Sequence, residues 1–326
     1  MDILISEDLD SPAIKKLGEK YQLLRGAELW KDPAKLRDAI GGARAIMVRN
    51  QTKVTADLLK AAPKLVAIGR VGVGLDNIDV ESATQRGVVV IAPLHANATS
   101  VAELALGLML ALARKIPFGD RSTKGGQWDR KGCTGMELDK KVLGICGFGR
   151  IGRMVATRAR AFGMRIVVFD PFIKPDSPQL GEIGATLATQ MEEALEVADI
   201  VSVHLPLTDE TAHLFDAKAF AAMKPGAFFI NTSRGGVMDE VALIEALQGK
   251  HLGGAALDVR EVEPPREKGV LETLDNVILT PHIGAFTQEA QARTFEAVCD
   301  DLDRVLRGDP AVHFVNVATA SPSARS

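Results

Sequence analysis

The sequence predicts an α/β protein built from two doubly wound parallel sheets. Short apolar runs of strand length alternate with segments of helical spacing or turn residues along most of the 326-residue chain. One run, 142–146, enters a Gly-x-Gly-x-x-Gly turn, and the next run ends in an acid, Asp170. A long helical pattern follows each of the two series, which indicates that one domain is inserted into the other.

The first series of elements lies before residue 98. Its apolar runs at 3–5, 45–48, 65–68 and 88–91 are typical of buried parallel strands. An Ala/Leu-rich helix is expected next, over 98–117. This helix leaves the first sheet and leads toward the second.

The second series starts at the glycine turn and predicts six strands. A helix over about 288–306 and a short return over 312–317 follow it. Six strands with helices between them match two mononucleotide-binding halves, and such sheets bind ligands beyond the carboxyl ends of their strands, so we expect the site in a cleft there. The predicted strands are 142–146, 166–169, 199–203, 227–230, 253–257 and 277–279.

These patterns predict the domain bounds. Residues 1–97 and 287–317 are expected to form a discontinuous substrate-binding domain, and residues 98–286 an inserted dinucleotide-binding domain. The small, polar tail 318–326 is expected to be disordered.

Composition excludes several classes of protein. The net charge of −3 provides no electrostatic footprint for nucleic acid or an anionic membrane surface. Three widely spaced cysteines without a Cys-x-x-Cys pair argue against a zinc or disulfide framework and for a reducing compartment. The acidic N-terminus starts a strand at once and does not resemble a signal peptide, and the apolar stretch 101–113 is too short to span a bilayer. We therefore expect a cytoplasmic protein that does not bind membranes.

The glycine turn predicts a dinucleotide site. Gly147 permits a tight turn, Gly149 lets backbone amides approach a pyrophosphate, and Gly152 lets the helix pack close to the strand. The helix that follows offers its N-terminal N–H groups to the phosphates. Asp170 would accept hydrogen bonds from the ribose hydroxyls and repel a 2′-phosphate, which favours NAD over NADP. The alternative is a glycine-rich turn with a chance acid. The predicted cofactor-binding residues of this turn are Gly147, Phe148, Gly149, Arg150, Ile151 and Gly152.

Three polar clusters follow predicted strands of the second series. Arg234, beside two glycines, is suited to clamping a carboxylate, although it is also typical of a surface arginine paired with an acid. Asp258 and Glu263 precede two prolines and are suited to orienting a histidine, or they form a solvated acidic loop. His282 lies between a proline and a glycine, where a histidine serves as proton donor or acceptor or as a structural residue.

A fourth cluster lies in the first series. Val71, Gly72, Val73 and Gly74 follow a predicted strand, and paired glycines expose N–H groups that suit a carboxylate. The alternative is a tight turn capped by Asp76. Together, the clusters describe hydride transfer between NAD and a carbon that bears a hydroxyl, with His282 as acid and base. No metal is required, because arginine and a protonated histidine supply the positive charge.

These motifs resemble those of the D-isomer-specific 2-hydroxyacid dehydrogenases. The likeness rests on the glycine turn with Asp170, on Asn-Thr-Ser-Arg-Gly from 231, on Asp258 with Glu263-Pro264, and on Pro-His-Ile-Gly from 281, in the same order and spacing. It extends from about residue 1 to 317. It implies a Rossmann cofactor domain inserted into a flavodoxin-like substrate domain. Together with the apolar stretch 101–113 and the exposed-looking stretch around Trp128, it also predicts a homodimer formed through the cofactor domain.

The resemblance also implies roles for individual residues. Arg234 would bind the substrate carboxylate and keto group, Glu263 would orient the histidine, and His282 would be the acid/base. The turn at Val71–Gly74 would bind the carboxylate. The remaining residues that the resemblance places beside the cofactor are His204, Pro206, Thr211, Thr232, Asp258 and Gly284.

Within the family, the first domain resembles the phosphoglycerate dehydrogenase branch, where residues matching Arg49 and Asn97 help hold the substrate. The chain departs from that branch in three ways. No regulatory module follows Val317, which implies a minimal catalytic form; Leu94-His95-Ala96 adds length; and Phe286 replaces a small serine. Because a ring there would reshape the pocket, reduction of glyoxylate or hydroxypyruvate is an alternative, and phosphite oxidation is a remote one. An NAD-sensing corepressor is the alternative from another class.

Overall fold

Two separate sheets, both entirely parallel, organise the chain in the computed structural model, which describes residues 1–316. Unit 1 comprises Met1–Asn97 together with the described residues from Ala285 onward, and unit 2 comprises Ala98–Gly284. The predicted class, two parallel-sheet α/β domains, is confirmed. The tail predicted over 318–326, and residue 317 with it, lie outside the described residues.

Unit 1 has five strands in the order β2-β1-β3-β4-β5, which is the flavodoxin-like order. Buried apolar clusters cover both faces of the sheet, and this explains why the central strands are continuous apolar runs. The strands are β1 Ile3–Ile5, β2 Leu23–Arg25, β3 Ala45–Val48, β4 Ala67–Arg70 and β5 Val89–Ile91; the helices are α1 Pro12–Gly18, α2 Pro33–Ile40, α3 Ala56–Lys60, α4 Val80–Gln85 and α12 Gln288–Arg307.

Unit 2 has seven strands in the order β12-β11-β10-β9-β6-β7-β8, which is the Rossmann order with one further strand at the edge. The strands are β6 Val142–Cys146, β7 Arg165–Phe169, β8 Ala185–Leu187, β9 Ile200–Val203, β10 Phe228–Asn231, β11 Gly254–Leu257 and β12 Val277–Leu279; the helices are α5 Ala98–Ala113, α6 Ile116–Lys124, α7 Arg150–Ala161, α8 Pro178–Ile183, α9 Met191–Val197, α10 Ala217–Ala222 and α11 Glu240–Gln248.

The predictions missed one edge strand in each unit. The prediction of six strands for unit 2 is wrong by one, because β8 was not recognised, and β2 was not recognised in unit 1. Both strands are partly exposed three-residue segments without a buried apolar run. They are strands because each pairs with a central neighbour, β2 with β1 and β8 with β7.

The helix predicted over 98–117 is also wrong at its end. The helix α5 stops at Ala113, and the chain turns at Lys115, whose φ of 51° is left-handed. Pro117 belongs to the first turn of α6 instead, where its missing N–H costs no helical hydrogen bond. The carbonyl of Ala113 accepts from the N–H of Met136 at 2.8 Å, so a returning loop binds the end of α5. Among residues 1–316, no helix is long and apolar enough to cross a membrane.

The parallel sheet of unit 2 brings the predicted polar residues to one edge. Because parallel strands end on the same side of a sheet, the residues that directly follow them lie along that edge. These residues are Gly147 after β6, Asp170 after β7, His204 after β9, Thr232 after β10 and Asp258 after β11. Arg49 after β3 and Val71 after β4 occupy the corresponding edge of unit 1.

Candidate active site

The glycine turn has no room for a side chain at Gly147 and Gly152, whereas Gly149 has open space next to its Cα. Gly147 has a φ of 95°, and a Cβ there would lie 2.6 Å from the carbonyl oxygen of His204. A Cβ on Gly152 would lie 2.1 Å from the carbonyl oxygen of Gly147. A Cβ on Gly149, which precedes α7 as its N-cap, would meet nothing within 4 Å. The turn is therefore packed tightly against the sheet while its outer side leaves room for a phosphate.

Asp170 lies beside this turn. Its Oδ2 accepts from the N–H of Phe148 at 2.7 Å, and its Oδ1 accepts from the N–H of Phe172 at 2.9 Å. These two bonds hold the carboxylate against the glycine turn. Each oxygen retains acceptor capacity for a hydroxyl, because a carboxylate has about four lone-pair sites.

Thr232 has a buried hydroxyl oxygen that makes no hydrogen bond. Buried polar atoms without a partner are uncommon, and each calls for an explanation such as a missing ligand. Three of the other predicted cofactor neighbours, His204, Pro206 and Thr211, bond to their own surroundings. Burial lowers the pKa of His204 to about 4, and its Nε2 bonds to Ser202 at 2.9 Å. The hydroxyl of Thr211 donates to the carbonyl of Pro206 at 2.6 Å, which holds their loop together. The turn, the acid and the unpartnered hydroxyl fit a dinucleotide, and contacts of the individual residues with it stay predictions.

Glu263 and His282 form a direct pair. Nδ1 of His282 and Oε2 of Glu263 are 2.6 Å apart, and the other carboxylate oxygen accepts from the N–H of Arg260 at 2.9 Å. Partial burial acts to raise the pKa of Glu263. The hydrogen bonds from His282 and Arg260 and the charge of Arg234 outweigh it, so that the pKa lies below its usual value. Glu263 is therefore ionised at neutral pH and accepts a hydrogen bond from the Nδ1–H of His282.

Asp258 positions the turn that carries His282. Its Oδ1 accepts from the N–H of Ile283, and its Oδ2 from the N–H of Gly284, both at 2.8 Å. Its backbone carbonyl accepts from the N–H of His282 at 2.8 Å, and Thr280 donates its hydroxyl to Oδ1 at 2.6 Å. The Asp258 side chain is thus bonded to its own chain, and its predicted contact with the cofactor remains a prediction.

Arg260 is a positioning residue that the sequence did not reveal. Its guanidinium bonds to Glu240 through Nε and Nη2, each at 3.0 Å, and to Glu272 through Nη1. The hydrogen bonds with Glu240, followed by those with Glu272, raise the pKa of Arg260. Because the backbone N–H of Arg260 bonds to Glu263, this anchored residue holds the Glu263 carboxylate in place. In the sequence, Arg260 is an arginine among acidic residues, a pattern that a solvated surface loop also has.

Arg234 is held at the end of β10 by its neighbours. The carbonyl of Arg234 accepts from the side-chain amide of Asn231 at 2.9 Å, and its Nη1 donates to the carbonyl of Ser233 at 2.8 Å. A Cβ on Gly235 would lie 1.8 Å from the carbonyl oxygen of Arg260, so the two loops pack in contact. The positive charge of Arg234 contributes, after the hydrogen bonds from His282 and Arg260, to lowering the pKa of Glu263.

In unit 1, Arg70 organises the turn at Val71–Gly74. This buried arginine donates to the carbonyl of Gly74 at 2.7 Å, to that of Val71 at 2.9 Å and to the side chain of Asn50 at 2.9 Å. The N–H groups of Val71 and Gly72 already donate to the carbonyls of Val48 and Arg70, so the turn is suited to presenting the N–H groups of Val73 and Gly74 to an anion. Asn97 has a buried side-chain oxygen without a partner, which supports its predicted place at a ligand site.

Residues 106–284 match the family described as D-isomer specific 2-hydroxyacid dehydrogenase, NAD binding domain. The chain is also 45% identical over 315 residues to a protein of Methanocaldococcus jannaschii named D-3-phosphoglycerate dehydrogenase. That alignment covers 97% of this chain and 59% of the relative, so the chain spans less than two thirds of the relative's length.

Two solved structures have the same architecture. A D-lactate dehydrogenase from Aquifex aeolicus, complexed with NAD and lactic acid, is 29% identical with a TM-score of 0.86, covering 98% of this chain and 100% of that one. A glyoxylate reductase from Paecilomyes thermophila is 31% identical with a TM-score of 0.86, covering 97% of this chain and 98% of that one.

The open side of the glycine turn generates a first prediction. Gly149→Ala should leave the melting temperature within about 2 °C, since its Cβ meets no atom, but should weaken NAD binding at least ~10-fold by blocking the approach of a phosphate. Gly152→Ala should instead lower the melting temperature, because its Cβ overlaps the Gly147 carbonyl. Calorimetry and NAD titration check both. Equal NAD affinity in Gly149→Ala and wild type would contradict the pyrophosphate assignment.

A second prediction concerns Arg260. Arg260→Met leaves Glu240 and Glu272 as partly buried acids without their shared cation, and we expect a loss of about 1–3 kcal/mol in the free energy of unfolding. Turnover should fall as Glu263 loses its fixed position, with KM less affected. Arg266→Ala, an exposed arginine of the same loop, is the matched control. Urea unfolding and steady-state kinetics measure both, and wild-type turnover in Arg260→Met would remove its positioning role.

Proposed function

Because this chain belongs to the D-isomer-specific 2-hydroxyacid dehydrogenase family, we propose that it oxidises the C2 hydroxyl of a small D-2-hydroxy acid with NAD and catalyses the reverse reduction. The observation that carries this proposal is the 2.6 Å pair of His282 Nδ1 and Glu263 Oε2. It leaves the second imidazole nitrogen for proton exchange with the substrate. Bound NAD supplies the hydride acceptor.

His282 takes the hydroxyl proton at Nε2 during oxidation and returns it to the forming alkoxide during reduction. Glu263, held ionised, fixes the tautomer with the proton on Nδ1 and stabilises the imidazolium that forms. Arg234 binds the carboxylate next to C2 and polarises the keto oxygen. In unit 1, the N–H groups of Val73 and Gly74 are suited to binding a carboxylate.

The proposed substrate is 3-phosphoglycerate. Support comes from the relative named for this activity and from Arg49, a cation at the end of β3 that suits a phosphate. Reduction of glyoxylate or hydroxypyruvate is the second candidate, because the exposed ring of Phe286 lies directly against Arg49 and the similar glyoxylate reductase has the same fold.

A binding protein that senses NAD is the competing class. Such a protein needs the glycine turn and Asp170 but has no use for a histidine paired with an ionised acid. The Glu263–His282 pair therefore favours an enzyme.

We further propose a homodimer formed through unit 2, working in the cytoplasm. The side chains of Trp128 and Ile116 are exposed, and both residues follow the apolar helix α5 in the chain. These exposed apolar groups motivate the proposed dimer. A reducing compartment suits three free cysteines. A monomeric mass by light scattering at working concentration would remove the dimer.

The catalytic pair generates a third prediction. His282→Ala should lower kcat by about 10²- to 10⁴-fold while NAD affinity is retained, because it removes the acid/base and no cofactor contact. Glu263→Gln should lower kcat at least ~10-fold, since the imidazolium that forms on His282 loses its carboxylate partner. His95→Ala, an exposed histidine, is the control. Full turnover in His282→Ala would favour the NAD-sensing protein.

A substrate panel generates the fourth prediction. Following NADH absorbance, oxidation of 3-phosphoglycerate should exceed, in kcat/KM, the reduction of glyoxylate and pyruvate, and NADH should be preferred to NADPH because of Asp170. Dominant reduction of small keto acids would support the second candidate. If no substrate is turned over although NAD is bound, the proposed enzymatic function is wrong.

A further inference from the structure

Arg49 is held from three directions within unit 1. Its backbone N–H donates to the buried carboxylate of Glu7 at 2.7 Å, and its Nη2 donates to Oε1 of Gln291 at 2.8 Å. The guanidinium carbon Cζ lies over the ring of Phe286, 4.5 Å from the ring centroid. Gln291 is itself fixed, because its Nε2 donates to the carbonyl of Ala285 at 2.8 Å. Phe286 and Gln291 therefore form a bracket around the guanidinium.

The backbone below the bracket is equally fixed. The carboxylate of Glu7 also accepts from the N–H groups of Asn50 and Gln51, each at 3.1 Å, and of Thr52 at 3.0 Å. Four consecutive N–H groups thus converge on one buried acid. The start of the Arg49 side chain has little freedom, so the bracket determines where its charged end lies.

Among residues 1–316, no carboxylate is in contact with the guanidinium of Arg49. Burial lowers the pKa of Arg49, and the negative charge of Glu7 opposes part of that shift. A partly desolvated cation attracts an anion more strongly than a fully hydrated one does. The site is therefore suited to an anionic group of a ligand.

The ring and an anion use different parts of the guanidinium. The ring of Phe286 lies beneath the central carbon Cζ, whereas the N–H donors of a guanidinium lie in its plane and point outward from its edge. A phosphate binds such an edge through parallel hydrogen bonds. The ring contact and the bond to Gln291 also restrict rotation about the side-chain bonds of Arg49, which lowers the entropy lost on binding.

We propose that the bracket of Phe286 and Gln291 positions Arg49 for a phosphate on C3 of the substrate, which makes Phe286 a specificity-determining residue. The inference rests on the proposed function, since it names a second anionic group on the same 2-hydroxy acid. The opposite role is a ring that obstructs the phosphate. The two roles predict opposite effects of removing the ring.

The test compares reduction of 3-phosphohydroxypyruvate with reduction of hydroxypyruvate, which differ by the phosphate. In Phe286→Ser, the KM for 3-phosphohydroxypyruvate should rise about tenfold relative to that for hydroxypyruvate, equivalent to ~1.4 kcal/mol of lost preference. Phe286→Tyr keeps the ring and should keep the wild-type ratio. In a double-mutant cycle, Phe286→Ser should add nothing to Arg49→Gln, because both act through one guanidinium.

Phe162→Ser, which removes a similarly exposed ring at the end of α7, is the matched control and should leave the ratio unchanged. A lower relative KM for 3-phosphohydroxypyruvate in Phe286→Ser, or an unchanged ratio, would overturn the bracket while leaving the dehydrogenase proposal intact. Wild-type protein that reduces neither keto acid would overturn the proposed function and the bracket with it.

Discussion

Buried carboxylates that accept backbone N–H groups hold the functional turns of both units. Turns that follow a strand have no regular partners for their N–H groups, and a buried group left without a partner costs about 1–3 kcal/mol. Asp258 satisfies the N–H groups of Ile283 and Gly284, and Glu7 satisfies four from Arg49 onward. In each unit, the residue with a proposed chemical role, His282 or Arg49, lies on a turn fixed in this way.

Arginines supply the complementary half of this arrangement. Arg70 gathers the carbonyls of the Val71–Gly74 turn, and Arg260 joins Glu240 to Glu272 while its backbone bonds to Glu263. Acids therefore hold turns by their N–H groups, and arginines hold them by their carbonyls or by neighbouring acids. Both leave the proposed reacting groups in fixed positions before a substrate arrives, which lowers the cost of ordering them during the reaction.

Phe286 illustrates how one replacement can act through a neighbour. A ring in place of a small residue first indicates a narrower pocket, which was the expectation from sequence. In the structure, the guanidinium carbon of Arg49 lies over the ring, and the guanidinium donates a hydrogen bond to Gln291. The effect of Phe286 on substrate choice therefore depends on how it positions the Arg49 guanidinium as well as on the volume of its ring.

The sequence by itself determined the α/β class, the central strands and the glycine turn, because these depend on local features: continuous apolar runs, and glycines where the backbone must pass close to another chain segment. It also placed Asp170, Arg234, Glu263 and His282 directly after strands or on the loops that follow them. The tertiary structure decided the remaining features: the edge strands β2 and β8, the hydrogen-bond network around Arg260, the hydrogen bonds of Glu7 with the turn at Arg49, and the contact of Phe286 with Arg49. Each depends on partners distant in sequence, and a short polar or half-exposed segment carries no signal of which partner it will meet.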